Sequence, residues 1–153
     1  MVMTIEDNLE IHYRDINPGA NCVELKVDEE FFSYTKAIKS ALRQNPQWVL
    51  LSEARSTEVK YLLECFSTGL HGLTTLHTDD TRKIPDRIQN MMQDSYAASR
   101  MENDIYSFLN VGILLCKKAT GNGKVFRFVD QICLFDRIGE ENRKYLIVEN
   151  GKV

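Results

Sequence analysis

The stretch from Leu50 to His77, LLSEARSTEVKYLLECFSTGLHGLTTLH, constrains the fold more than any other part of the chain. Trp48 to Leu51 is a continuous apolar run of strand length, the pattern of a central parallel strand covered by helices on both faces. An acidic tip at Glu53 follows. Val59, Leu62, Leu63 and Phe66 then recur at i, i+3, i+4 and i+7, which predicts a short amphipathic helix starting at Ser56 or Thr57 and stopped by Gly69. Leu73 to Leu76 supplies a second strand rich in β-branched threonine. Strand, helix and strand in that order form a right-handed βαβ crossover by strong preference, so the strands run parallel and their C-terminal ends share one edge. Glu53 and His77 are expected at that edge, where open α/β sheets place ligands.

The flanking segments extend the pattern. Val2 to Ile5 and Leu9 to Tyr13 read as short strands around the acidic turn Glu6-Asp7-Asn8, with Asn17-Pro18-Gly19 ending the second, and Cys22 to Val27 adds another. From Glu30 to Gln44, Phe31, Tyr34, Ile38, Ala41 and Leu42 recur at helical spacing until Pro46 stops the helix. A further amphipathic helix starts at Ile84, with Ile88, Met91 and Met92 on one face and Pro85 in its first turn. Asp94 to Asp104 is polar and carries no assignment. Val111 to Lys117, Lys124 to Phe135 and Lys144 to Val148 read as an antiparallel meander turning at Gly121-Asn122-Gly123 and Gly139-Glu140-Glu141. The expected class is α/β, with a mostly parallel sheet followed by a C-terminal antiparallel meander. The chain is read as a single domain, with residues 1–107 as core and 108–153 as terminal strands.

Composition narrows the function. A chain of 153 residues with 43% hydrophobic and 27% charged residues can bury one ordinary soluble core. Its formal charge of -3 argues against broad binding to nucleic acid or anionic lipid. Cys22, Cys65, Cys116 and Cys133 form no C-x-x-C pair, so they read as isolated thiols of a reducing compartment. MVMTIEDNLE lacks the basic flank and apolar run of a signal peptide, and no segment approaches the roughly 20 apolar residues of a bilayer span. Direct membrane insertion is not expected.

Several residues could carry chemistry. Glu53, just past an apolar strand, can hold magnesium through water or polarise a nucleophilic water beside a triphosphate. The plainer reading is that it ends the strand and pairs with Arg55. Thr74-Thr75-Leu76-His77-Thr78 sets hydroxyls and an imidazole at a strand end, suited to a γ-phosphate, although a histidine such as His77, taken singly, is more often a structural residue. His71 is expected in the glycine turn, and His12 on the solvent face of its strand. Glu6, Asp7 and Glu10 form an acidic cluster able to supply a general base, or simply solvated turn acids. Arg43, Arg55 and Arg87 read as anion clamps or surface ion pairs. The G-N-G-K at 121–124 is a hairpin turn and not a phosphate loop, because Lys118 stands five residues before Gly123 and Val125 replaces the Ser/Thr. No G-x-x-x-x-G-K-[ST] occurs anywhere in the chain.

Together, T-I-E-D-N-L-E at 4–10, A-L-R-Q-N-P-Q-W-V-L-L-S-E-A-R at 41–55 and T-G-L-H-G-L-T-T-L-H-T at 68–78 resemble, in order, the Asp box, the atypical Walker B segment and the His box of the secretion-superfamily ATPases. These are the hexameric motors of type II secretion, type IV pili, Tad pili and type IV secretion. The resemblance implies the C-terminal part of a RecA-like P-loop NTPase core, incomplete because the strand, phosphate loop and helix that should precede the Asp box are missing. It implies Glu6, Glu10, Glu53 and His77 as the catalytic set, with Glu6 and Asp7 in the acidic box and Glu10 or a neighbour as water-activating base. Glu53 and Asp7 would serve magnesium, and Arg55 and Thr75 would serve the nucleotide. Ser52 stands where the family usually has glycine, and Leu70 where it usually has the first histidine of its box.

ATP and Mg²⁺ are the cofactors of the intact family, and the missing phosphate loop makes their binding by this chain doubtful. The partners implied are a homo-hexamer or a complementing chain that carries the phosphate loop, and inner-membrane platform proteins, in a cytoplasmic location peripheral to the membrane; no nucleic acid is implied. On this reading the isolated chain does not hydrolyse ATP. Two alternatives stand beside it: a degenerate, non-catalytic subunit that docks onto an intact motor, and a metal-dependent hydrolase using Glu6, Asp7, Glu53 and His77.

Overall fold

A four-stranded parallel sheet in the order β2-β1-β3-β4 organises the first half of the chain. Its strands are β1 (Val2–Glu6), β2 (Cys22–Lys26), β3 (Trp48–Leu51) and β4 (His71–Thr74). β1 and β3 are the interior strands, and Met3, Thr4, Ile5, Glu6, Val49 and Leu51 are buried. The apolar run at Trp48 therefore does build a central strand. The computed structural model describes residues 1–28, 30–92 and 98–153. Two compact units emerge, Met1–Leu76 and His77–Val153.

In the first unit, helix α1 (Tyr13–Ile16) lies between β1 and β2, α2 (Tyr34–Gln44) leads into β3, and α3 (Glu58–Ser67) joins β3 to β4. The α2 face made of Tyr34, Ala37, Ile38 and Ala41 is buried, as is the α3 face of Val59, Leu62, Leu63 and Cys65. Gly69, at φ +87°, ends α3 in the left-handed conformation that glycine adopts without strain. Gly72 has a different reason to be glycine: a Cβ there would lie 2.2 Å from the Phe66 ring and 3.0 Å from the Val49 carbonyl oxygen.

Four local expectations are corrected. No strand forms over Leu9–Tyr13, because the buried Glu6 carboxylate accepts hydrogen bonds from the Glu10 and Ile11 N–H groups at 2.7 and 2.9 Å. Those donors are drawn inward, and β1 pairs in parallel with β2 instead of turning back as a hairpin. His12 accordingly stands in a loop at φ 47°, ahead of α1. The α2 helix begins at Tyr34 and not Glu30, since the Asp28 carbonyl accepts from Phe31 and Phe32 in a tight turn, and Ser33 caps the helix through Lys36 N–H. β4 spans His71–Thr74, so His71 pairs in register with Trp48, its ring 5.1 Å from the indole, and does not sit in the glycine turn.

The second unit opens with a 3₁₀ turn at Thr81–Lys83 and α4 (Ile84–Met91), with Pro85 in the first turn. The unassigned stretch from Asp94 lies outside the described residues up to Ala97; Ala98–Phe108 is helix α5. The meander is β5 (Val111–Ala119), β6 (Val125–Ile138) and β7 (Glu141–Val148), antiparallel in that order. The hairpin turn around Gly123 is closed by hydrogen bonds between Thr120 and Lys124. One sheet face buries Cys133 and Phe135, Tyr106 of α5 meets Phe135 edge to face, and Gln131 accepts from the N–H and hydroxyl of buried Thr81. Val111, Ile113, Leu115, Leu134, Tyr145 and Ile147 remain exposed. No helix among the described residues is long and apolar enough to cross a membrane.

Candidate functional site

The register of β1 and β3 determines which side chains meet. Ile5 lies opposite Leu51 and the Ser52 N–H donates to the Ile5 carbonyl, so Glu6 at the end of β1 and Asp7 just past it run level with Ser52-Glu53 just past β3. Parallel strands thus deliver acids from two remote parts of the sequence to one sheet edge.

Arg55 spans the two acids. Its Nη1 is 3.0 Å from an Asp7 carboxylate oxygen and its Nε donates to Glu53 at 2.7 Å. A planar guanidinium holding two carboxylates through two different nitrogens forms a charge-assisted bridge that fixes all three side chains. Burial pushes the Asp7 carboxyl up, but the Asn8 N–H, the Tyr34 hydroxyl and Arg55 outweigh it, and Asp7 titrates below its ordinary value. The Arg55 guanidinium is correspondingly raised, first by its hydrogen bond to Glu53 and then by the charge of Asp7. The backbone beneath is pinned too, since the Glu58 carboxylate accepts from the Arg55 and Ser56 N–H groups. The start of α3 is therefore capped from inside its first turn; Thr57 stands at the cap position without a side-chain bond.

Ser52 and Tyr34 form a second layer. The Tyr34 hydroxyl, on a side chain only 5% exposed, lies 2.9 Å from the Ser52 Oγ and accepts from the Asp7 N–H at 3.1 Å. Burial raises the phenol, which stays a neutral hydroxyl at ordinary pH. On the other side, Thr75 Oγ1 donates to the Ser52 carbonyl at 2.6 Å, and Ala54 N–H to the Thr75 carbonyl. The structure thus gathers Asp7, Ser52, Glu53, Arg55, Thr75 and Tyr34. Sequence reasoning missed Tyr34, which the helical period marks simply as a core position, because its contact with Ser52 is a tertiary one.

The other members of the expected site have distinct surroundings. Glu6 is 1% exposed, with its carboxylate bonded to the loop backbone and turned away from water. Glu10 is exposed in that loop, and its N–H is one of the two donors. His77 is exposed and opens the second unit, three residues beyond the end of β4. Among the described residues no three His, Cys, Asp or Glu side chains converge to hold a metal ion. The space between Asp7 and Glu53 is spanned by a guanidinium, so in this arrangement the donor set does not fit Mg²⁺, which asks for several oxygens in near-ideal octahedral geometry.

A parallel sheet with helical crossovers and polar side chains gathered at its C-terminal edge places the first unit in the open α/β class, whose ligand sites lie at that edge. The family model for type II/IV secretion system proteins matches residues 1–149, and the chain belongs to that family. A Bacillus anthracis protein of uncharacterised role is 31% identical over 71% of this chain and 25% of its own length. The type IV pilus retraction ATPase PilT of Pseudomonas aeruginosa is 25% identical over 81% of this chain and 36% of its own. The crystal structure of the Legionella pneumophila ATPase DotB superposes with a TM-score of 0.73 at 20% identity, over 87% of this chain and 36% of DotB. The fold is therefore that of the secretion ATPases. The chain spans roughly a quarter to a third of the length of these curated relatives.

Proposed function

We propose that these 153 residues form the part of a secretion or pilus ATPase that carries the Asp box (Glu6, Asp7, Glu10), the Walker B acid (Glu53) and the His box (His77). Their role is to sense and activate a nucleotide whose phosphates are held by a phosphate loop elsewhere. The observation that carries this reading is the convergence of Asp7, Glu53 and Arg55 at the C-terminal edge of the parallel sheet, in a chain whose sequence contains no G-x-x-x-x-G-K-[ST]. Backbone N–H groups and a lysine are what normally anchor β- and γ-phosphates, and nothing in the Asp7–Glu53–Arg55 cluster replaces them. The working assembly is a hexamer or a complex with a chain that supplies the loop. It acts on the cytoplasmic side against membrane platform proteins, and it drives secretion or pilus movement, in a Tad-like branch or another. Calorimetry with ATP and Mg²⁺ tests this: the 153-residue chain alone is expected to show no micromolar binding, and such binding would sink the claim that it lacks half of the site.

A second reading is favoured by one specific contact. The Ser52 Oγ and Tyr34 hydroxyl fill, with a hydrogen-bonded pair, a backbone position that is usually glycine in the family. A subunit that no longer receives phosphates close to that backbone tolerates the added bulk, as a docking paralogue would. Supplying a partner chain with an intact phosphate loop discriminates the two. Restored hydrolysis that is lost in Glu53→Gln supports the motor reading, and partner binding with no hydrolysis supports the docking one.

A further inference from the structure

We propose that Arg55 is the resident cation of the Asp7–Glu53 pair and that it keeps divalent metal ions off these carboxylates as long as its two-pronged bridge is closed. This builds on the proposed role of Asp7 and Glu53 as the metal-side acids of the half-site. Two like charges held level at adjacent strand ends repel and require a counter-charge. Here the chain provides its own. Nη1 engages Asp7 at 3.0 Å and Nε engages Glu53 at 2.7 Å, so one oxygen of each acid is already committed to an N–H donor. A divalent ion seated between the same oxygens would stand within van der Waals distance of a positive guanidinium, which must leave before the ion can enter.

The frame around the bridge resists that departure. Glu58 Oε1 accepts the Arg55 N–H at 2.5 Å, which fixes where the side chain begins. The Tyr34 hydroxyl accepts the Asp7 N–H, and the Asp7 carboxylate takes the Asn8 N–H at 2.9 Å, which fixes the acid it must reach. The guanidinium is nevertheless about half exposed, with a side-chain exposure of 53%, so an outward swing meets water and no packed wall. Bridge and ion are then mutually exclusive states of one cluster. The apparent metal affinity is the intrinsic affinity multiplied by the fraction of molecules in which the bridge is open. Any incoming anion that draws the guanidinium away raises that fraction and readies the acids for a metal.

The test is a Mn²⁺ titration of the full chain by calorimetry in the absence of nucleotide, comparing wild type, Arg55→Gln and Arg55→Gln/Glu53→Gln. Arg55→Gln is expected to bind Mn²⁺ at least about tenfold more tightly than wild type, as removal of a closed state populated about nine-tenths of the time requires. The second substitution is expected to abolish the gain. Equal affinity in wild type and Arg55→Gln, or a gain that persists without Glu53, overturns the proposal. A measurement on the wild type guards against a variant that fails to fold. The Arg55 Nε–H resonance is expected to move when Mg²⁺ is raised far enough to bind, and metal binding at these acids with that resonance unmoved also overturns it. Because no nucleotide enters either measurement, a negative outcome leaves the half-site reading standing, and ATP calorimetry tests that reading separately.

Discussion

Replacing Glu6 isolates what a buried carboxylate contributes to this fold. Its side chain is 1% exposed, and a single oxygen accepts two backbone N–H groups, from Glu10 at 2.7 Å and Ile11 at 2.9 Å. Hydrogen bonds to a charged acceptor contribute about 1.5–3 kcal/mol each. Glu10 is exposed and Ile11 half-buried, so the lower end applies, and Glu6→Ala is expected to cost about 3 kcal/mol. Glu6→Gln keeps an acceptor oxygen of the same shape without the charge and should cost only about 1 kcal/mol. Trp48, the single tryptophan, lies in β3 beside β1 and reports unfolding of the first unit by its fluorescence. With a urea slope of about 1.5 kcal/mol/M, the midpoint should fall by about 2 M in the alanine variant and by under about 1 M in the glutamine variant. If both variants lose the same stability, the two hydrogen bonds are not what Glu6 provides. A loss below about 0.5 kcal/mol in the alanine variant refutes the structural role altogether.

Other substitutions probe the rest of the molecule. Thr4→Val should stabilise the first unit by about 1 kcal/mol in the same urea assay, because the buried Thr4 hydroxyl has no hydrogen-bond partner and valine matches its shape. Gly72→Ala should destabilise it by about 1–3 kcal/mol, since the added carbon meets the Phe66 ring and the Val49 carbonyl; an unchanged midpoint would mean that the ring moves freely. In the second unit, the Arg82 side chain, bonded to Asp80, draws the Asp80 carboxyl down from 3.8 to about 2. A lowered carboxylate adds stability that is complete above 3.8 and disappears as the pH falls through about 2, so Asp80→Asn should flatten acid unfolding within that window, as followed by circular dichroism. Thiol titration should find Cys22 and Cys116 reactive in the native protein, whereas Cys65, raised to about 11 by burial, and Cys133 should react only on unfolding.

What could be read from the sequence was whatever depended on local pattern. The apolar run at Trp48, the i, i+3, i+4, i+7 spacing of α3 and the glycine turns of the meander each announce their element, because burial on a fixed face imposes a period. The failures have tertiary causes. Leu9–Tyr13 has strand-like composition, yet a carboxylate at the end of β1 claims its backbone donors. His71 sits between two glycines, a turn signal overridden by pairing with Trp48. Within the site, Asp7, Glu53 and Arg55 were visible as residue types in motifs. The Glu53–Arg55 pair was legible two residues apart in sequence; that Arg55 would also reach Asp7 was not, because it depends on the register of two strands more than 40 residues apart in sequence. The Tyr34 hydroxyl was invisible for the same reason, since helical periodicity records that a position is buried and says nothing of its polar tip.

The pairing of Tyr34 with Ser52 also limits how this sequence can drift. Ser52→Gly alone removes one of the two hydrogen-bond partners of a buried phenol, and Tyr34→Phe alone takes one from the Ser52 hydroxyl and from the Asp7 N–H. Each single step opens a debt at the sheet edge that the other step would cancel only in part, because the Asp7 N–H needs an acceptor whichever residue occupies position 52. Glycine and phenylalanine are thus more easily reached together than one at a time. The serine and the tyrosine are energetically coupled, and a substitution at either position is felt at the other.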